Sequence, residues 1–97
     1  MKPIKRVEII VDSLEVENII SIIERHEISG YTLISDVLGK GDRGIRDGEG
    51  LTNVFKNSIL IIACEKEKVE EFVEEIRLQL KKFGGVCLVS DAEWIIH

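Results

Sequence analysis

The sequence predicts an α+β sandwich in which strand, helix and strand are followed, after a long connection, by a second strand, helix and strand. Three observations predict it. Apolar residues alternate over residues 6–12, they recur at helical spacing over 14–27 and again over 65–83, and short β-branched or apolar runs follow each helix. That order within 97 residues fits the ferredoxin-like split βαβ, a βαββαβ chain with one antiparallel four-stranded sheet and both helices on one face. The length suits a single domain, residues 1–97, with one modest core.

In the first strand Val7, Ile9 and Val11 share one face and Glu8, Ile10 and Asp12 the other. Asp12 or Ser13 supplies a helix cap, with Glu15 at capping-box spacing from Asp12. Val16, Ile19, Ile20 and Ile23 then follow the i, i+3, i+4, i+7 rule, and Gly30 is the expected C-terminal cap. His26 falls in the last turn, where it complements the helix dipole, and no partner stands at metal-ligand spacing. Residues 31–38, rich in β-branched and aromatic side chains, read as the second strand, which Thr32 opens. Residues 58–64 are a continuous apolar run of strand length and read as a central third strand.

In the second helix Val69, Phe72, Val73, Ile76, Leu80 and Phe83 mark the buried stripe. Glutamates crowd its start and Arg77, Lys81 and Lys82 its end, as the macrodipole favours, and Gly84 and Gly85 stop it. Residues 86–89 form a fourth strand, and 92–97 a short fifth one or an edge that covers a neighbouring subunit. The single proline, Pro3, precedes the first strand. Val37, Leu38, Ile59 and Ile61 put apolar groups on both sides of strands two and three, so the second sheet face is expected to be buried against other copies of the chain.

Net charge is −5 and the acids concentrate in the helices, which leaves no basic face for a nucleic-acid backbone. The only aromatics, Tyr31, Phe55, Phe72, Phe83 and Trp94, offer no stacking platform, so nucleic acid is not expected as a partner. The longest apolar run, 59–64, is far shorter than the about 20 residues of a membrane span, and the N-terminus has no signal-peptide core. The cytoplasm is the expected location. Cys64 and Cys87 each lie in an apolar run and form no C-x-x-C, which predicts two buried free thiols. No nucleophile, metal-ligand set or pair of tuned acids meets the needs of catalysis, and the motifs G-x-S-x-G, H-E-x-x-H and the P-loop are missing. Neither enzymatic activity nor a bound metal is expected.

Residues 39–50 read G-K-G-D-R-G-I-R-D-G-E-G and hold five of the eight glycines, with apolar runs on either side. Glycine lets backbone approach a ligand closely, and exposed N–H groups beside arginine forks make a concave anion site. The connection is also far longer than the about 2 to 5 residues of a hairpin loop. Its bases Lys40, Arg43 and Arg46 are balanced by Asp42, Asp47 and Glu49, so recognition there is local.

Gly30-Tyr31-Thr32 followed by Gly39-Lys40-Gly41-Asp42-Arg43-Gly44-Ile45-Arg46 resembles the PII signalling superfamily, particularly the PII-like proteins linked to inorganic-carbon uptake with their G-Y-T…G-K-G-x-R-x-x-R stretch. The resemblance implies a homotrimer that binds adenine nucleotides in the clefts between subunits. It also implies a T-loop, at residues 42–56, that reports occupancy to a partner such as an inorganic-carbon transporter or a metabolic enzyme; a partner in a membrane would recruit the protein there. On the same resemblance Thr32 and the backbone of Gly39, Lys40 and Gly41 hold base and ribose, Arg43 and Arg46 take phosphate, and Gly84 and Gly85 close the cleft. Nitrogen-regulating members carry a lysine before strand four, two arginines after it and a modified tyrosine in the T-loop. Here the turn is Gly84-Gly85-Val86, Asp91 and Glu93 stand in the tail, and residues 42–56 contain no tyrosine. These departures point to AMP, cyclic AMP or ADP in preference to ATP with magnesium and 2-oxoglutarate. Two other classes share the fold: an amino-acid-sensing regulatory domain, which would not need Arg43 and Arg46 together, and a structural trimer of the copper-tolerance type.

Overall fold

The alternation in Val7, Ile9 and Val11 runs through a strand longer than the sequence pattern suggests. In the computed structural model, which describes residues 1–39 and 56–96, the order is β1 (Lys2–Asp12), a 3-10 turn (Ser13–Glu15), α1 (Val16–Arg25), β2 (Thr32–Leu38), β3 (Lys56–Cys64), α2 (Lys66–Phe83) and β4 (Val86–Trp94). The strands form one sheet in the order β2-β3-β1-β4, with every neighbouring pair antiparallel. This is the expected ferredoxin-like arrangement.

Antiparallel partners share a face, so the register Val7↔Ile62 and Ile9↔Leu60 puts the buried residues of the two central strands on one side. Ile19 and Ile23 of α1 and Phe72 and Ile76 of α2 close over that side, and all four are fully buried in a core shared with Val11, Val16, Ile22 and Cys64. Each such side chain contributes about 1.5–3 kcal/mol on burial. His26 has a structural place at the helix–helix seam: its Nε2 lies 2.7 Å from Glu75 Oε1, and its ring meets Phe72 edge-on at 5.7 Å. Both cysteines are free thiols, but only Cys64 is buried as expected while Cys87 is half-buried; partial loss of solvent still pushes both above the ordinary thiol pKa, which suits inert packing residues.

Several boundaries depart from the sequence pattern. Asp12 Oδ1 accepts from the Leu14 N–H at 2.9 Å and so caps the 3-10 turn, which delays the α-helix to Val16. That helix ends at Arg25, and its left-handed residue is Glu27 (φ 56), not Gly30. The reason is Ile28, which returns to the core and donates its N–H to Ile23 O at 3.3 Å, whereas Gly30 has open space around it. Phe83 lies past the end of the buried stripe and is exposed.

Pro3 is inside β1, at a level where β4 is its only paired neighbour, an edge-like position of the kind in which a strand tolerates proline. The added length of β1 gives β4 a partner as far as Lys2↔Trp94. Residues Ala92 to Trp94 therefore belong to β4 and form no separate fifth strand. On the sheet face away from the helices, Ile34, Ile59, Ile10 and Val86 stand in one row and Thr32, Ile61, Glu8 and Leu88 in the next. Ile34 is 42% and Leu88 55% exposed, a broad apolar surface on a single subunit. Val37 joins that face, while Leu38, opposite Lys56, belongs to the helix side.

Candidate functional site

Thr32 opens β2 opposite Ile61 and is exposed on the open face. Gly39 follows the last residue of β2, and a Cβ there would come within 3.3 Å of Asn57 Nδ2. Gly84 and Gly85 make the helix-to-strand turn with φ 86 and 128. The Gly84 N–H donates to Leu80 O at 2.7 Å and closes α2. A Cβ on Gly85 would meet Ile10 O at 2.8 Å, Leu80 Cδ2 at 2.9 Å and Val11 Cγ1 at 3.0 Å, so the turn runs directly against the backbone of β1. Lys40, Gly41, Arg43 and Arg46, together with residues 42–55 of the expected T-loop, lie outside the described residues.

The structure brings Gly39 and the Gly84-Gly85 turn to the same end of the sheet but to opposite edges. β2 and β4 are separated by β3 and β1, three strand spacings of about 4.8 Å, or ~14 Å. Thr32 and the turn are likewise on opposite edges. Within one subunit the two groups of residues do not converge.

The strand that leads to Gly39 is bulged. Pairing shifts between Ile34↔Ile59 and Val37↔Asn57, so Ser35 and Asp36 together oppose Ser58, and Asp36 takes a left-handed backbone with φ 56. Asp91 is remote from the glycine turn of its own subunit. It pairs with Lys5, whose Nζ lies 2.5 Å from Asp91 Oδ1 and holds that carboxyl below the usual carboxylate range. Asp91 follows Val86 by five strand residues, ~17 Å.

Open concavities lie away from these residues. One, of about 440 Å³, is lined by Lys2, Ile28, Ala63, Glu65, Lys68 and Trp94 at the far end of the sheet. Another, of about 540 Å³, lies between α2 and the edge of β4, beside Arg77, Leu80 and Cys87. Neither includes Thr32, Gly39, Gly84 or Gly85. Among the described residues no cluster of His, Cys, Asp and Glu has the makings of a metal site, and no helix is long and apolar enough to cross a membrane.

The sequence model of the family described as nitrogen regulatory protein P-II matches residues 4–96. The chain belongs to the P-II family. P-II proteins are non-catalytic signalling regulators, in accord with the lack of catalytic motifs in the sequence. Among solved structures, this P-II chain is similar to CPII, a nitrogen regulatory PII-like protein from Thiomonas intermedia K12 bound to ADP, AMP and bicarbonate: 24% identity, 98% of this chain and 96% of that one covered, TM-score 0.82. A second CPII structure, bound to ADP and bicarbonate, matches at 26% identity over 95% of this chain and 88% of that one, TM-score 0.80. A candidate PII-like signaling protein from Thermus thermophilus matches at 21% identity over 97% and 91%, TM-score 0.76. No curated protein sequence matches.

Proposed function

We propose that this P-II protein is a PII-like regulator that binds an adenine nucleotide, AMP or ADP, in the clefts of a homotrimer and signals occupancy through its T-loop. The observation that carries the reading is its likeness to CPII in complex with ADP and AMP. The edge placement supports the intersubunit location: a single nucleotide touched by both Gly39 and the Gly84-Gly85 turn fits between the β2 edge of one copy and the β4 edge of the next. P-II proteins form trimers, and the apolar open face of the sheet gives these subunits a surface to bury. Thr32 and the backbone of Gly39, Lys40 and Gly41 hold base and ribose, and Arg43 and Arg46 the phosphate. Bicarbonate, present with the nucleotide in CPII, is the small co-ligand this reading favours, and an inorganic-carbon transporter or a metabolic enzyme is the partner.

Titration calorimetry with AMP, ADP, cyclic AMP and ATP, each with and without bicarbonate, tests the reading. AMP or ADP should bind most tightly. A charge-assisted hydrogen bond is worth about 1.5–3 kcal/mol, so Arg43→Ala or Arg46→Ala should each weaken binding about 10- to 100-fold. Wild-type affinity in the double variant, or ATP bound far more tightly than AMP and ADP, refutes it.

A further inference from the structure

The bulge in β2 decides how the strand ends. Ile34 and Val37, three residues apart, both occupy the open face, which a regular strand with period two cannot achieve. The extra residue is inserted at Ser35-Asp36, and without it Val37, Leu38 and Gly39 would each present to the opposite face. The left-handed backbone of Asp36 is therefore the point at which the direction of Gly39 is set.

Side chains from two other elements hold that point. Ser13 Oγ, in the turn after β1, lies 3.1 Å from Asp36 Oδ1 and 2.7 Å from Ser58 Oγ, and Ser58 is only 2% exposed on β3, directly opposite the bulge. A carboxylate only accepts, so Ser13 donates its one hydroxyl proton to Asp36, and the Ser58 hydroxyl must then donate to Ser13. The result is a directed relay, Ser58 to Ser13 to Asp36, that anchors the outer edge strand to the central strand and to the entry of α1. It joins both stems of the glycine-rich connection: Asp36 precedes Gly39 by three residues, and Ser58 follows Lys56 by two.

We propose that Ser58, Ser13 and Asp36 form a clamp that fixes the bulge and thereby aims Gly39, which makes Ser13 and Asp36 positioning residues for the ligand site. The clamp itself rests on geometry alone, and its effect on ligand affinity rests on the nucleotide reading above. Aspartate suits the place because its short polar side chain tolerates the left-handed region and bonds locally. Glycine would satisfy the backbone more easily but could not be held.

The test combines amide hydrogen exchange at Val37, Leu38 and Gly39 in the free protein with calorimetric titration of ADP. Ser13→Ala and Asp36→Gly should speed exchange at these amides about 2- to 10-fold, the worth of one net hydrogen bond, and weaken ADP by a similar factor. Ser13→Thr keeps the hydroxyl, and Asp36→Asn keeps both an acceptor oxygen and left-handed tolerance, so both should stay within about twofold of wild type. Asp36→Gly also separates aim from stability: its urea midpoint should hold or rise, because the backbone is relieved, while exchange and affinity worsen. Unchanged exchange at residues 37–39 in both Ser13→Ala and Asp36→Gly overturns the clamp. Failure of the wild-type protein to bind ADP overturns the nucleotide reading instead, and exchange in the free protein still decides the clamp.

Discussion

Gly85→Ala is the substitution whose cost the structure defines most fully. The backbone there has φ 128, a region L side chains rarely adopt, which costs about 1–3 kcal/mol. The added methyl also arrives 2.8 Å from Ile10 O and 3.0 Å from Val11 Cγ1. Leu80 can rotate away, but Ile10 is paired with Val86 in the sheet, so its carbonyl yields only if the β1–β4 ladder shifts. Overpacking of this kind costs about 1–3 kcal/mol. Together the two effects amount to about 2–6 kcal/mol, against a total stability of about 5–15 kcal/mol for a domain. At about 4–8 °C per kcal/mol for a chain of this size, the melting temperature should fall by about 10 °C or more. Urea titration at one fixed protein concentration measures this, since assembly makes the midpoint concentration-dependent. Gly30→Ala is the companion variant: nothing lies within 4 Å, and it should match wild type or exceed it by up to about 1 kcal/mol. If Gly85→Ala lies within about 0.5 kcal/mol of wild type, or Gly30→Ala proves as damaging, the close approach of the turn to β1 is not what selects glycine.

Further expectations follow from the core, the open face and the helix seam. Phe72 is fully buried, and Phe72→Ala should cost about 3–5 kcal/mol in urea titration. Ile61→Glu places a charge in the middle of the open apolar face, so sedimentation should show monomer in place of the trimer while far-ultraviolet circular dichroism is retained. The His26 and Arg25 partners hold the Glu75 carboxyl below its usual range. A carboxylate depressed in the folded state stabilises above its unfolded pKa, and that contribution is lost as pH falls through the lowered value. Glu75→Gln should therefore be less stable than wild type at neutral pH, and urea midpoints should converge in strong acid.

Much of the fold was legible because it follows from backbone periodicity. The alternation of Val7, Ile9 and Val11 and the spacing of Ile19, Ile23, Phe72 and Ile76 name the buried faces directly. What the pattern hides is set by partners distant in sequence. The left-handed residue after α1 is Glu27 because Ile28 finds room in the core, and the length of β4 depends on the N-terminal extension of β1. The bulge at Asp36 depends on Ser13, legible in the chain only as a helix-cap candidate, and on Ser58, which carries no signal of its own. The candidate site divides in the same way. Thr32, Gly39 and the paired glycines stand out by motif, but strand order alone reveals that they occupy opposite edges, and that Gly85 serves the packing of β1 whatever else it touches.

The separation of those edges has a genetic counterpart. In the proposed trimer each cleft draws one half from the β2 edge of one subunit and the other from the β4 edge of its neighbour. A folded variant damaged beside Gly39 and a folded variant damaged at the Gly84 turn are then defective in different halves of the same cleft. Each alone assembles rings in which every junction is broken. Produced together, they form mixed rings in which one junction unites the two undamaged halves, and two inactive alleles complement each other without any exchange of sequence.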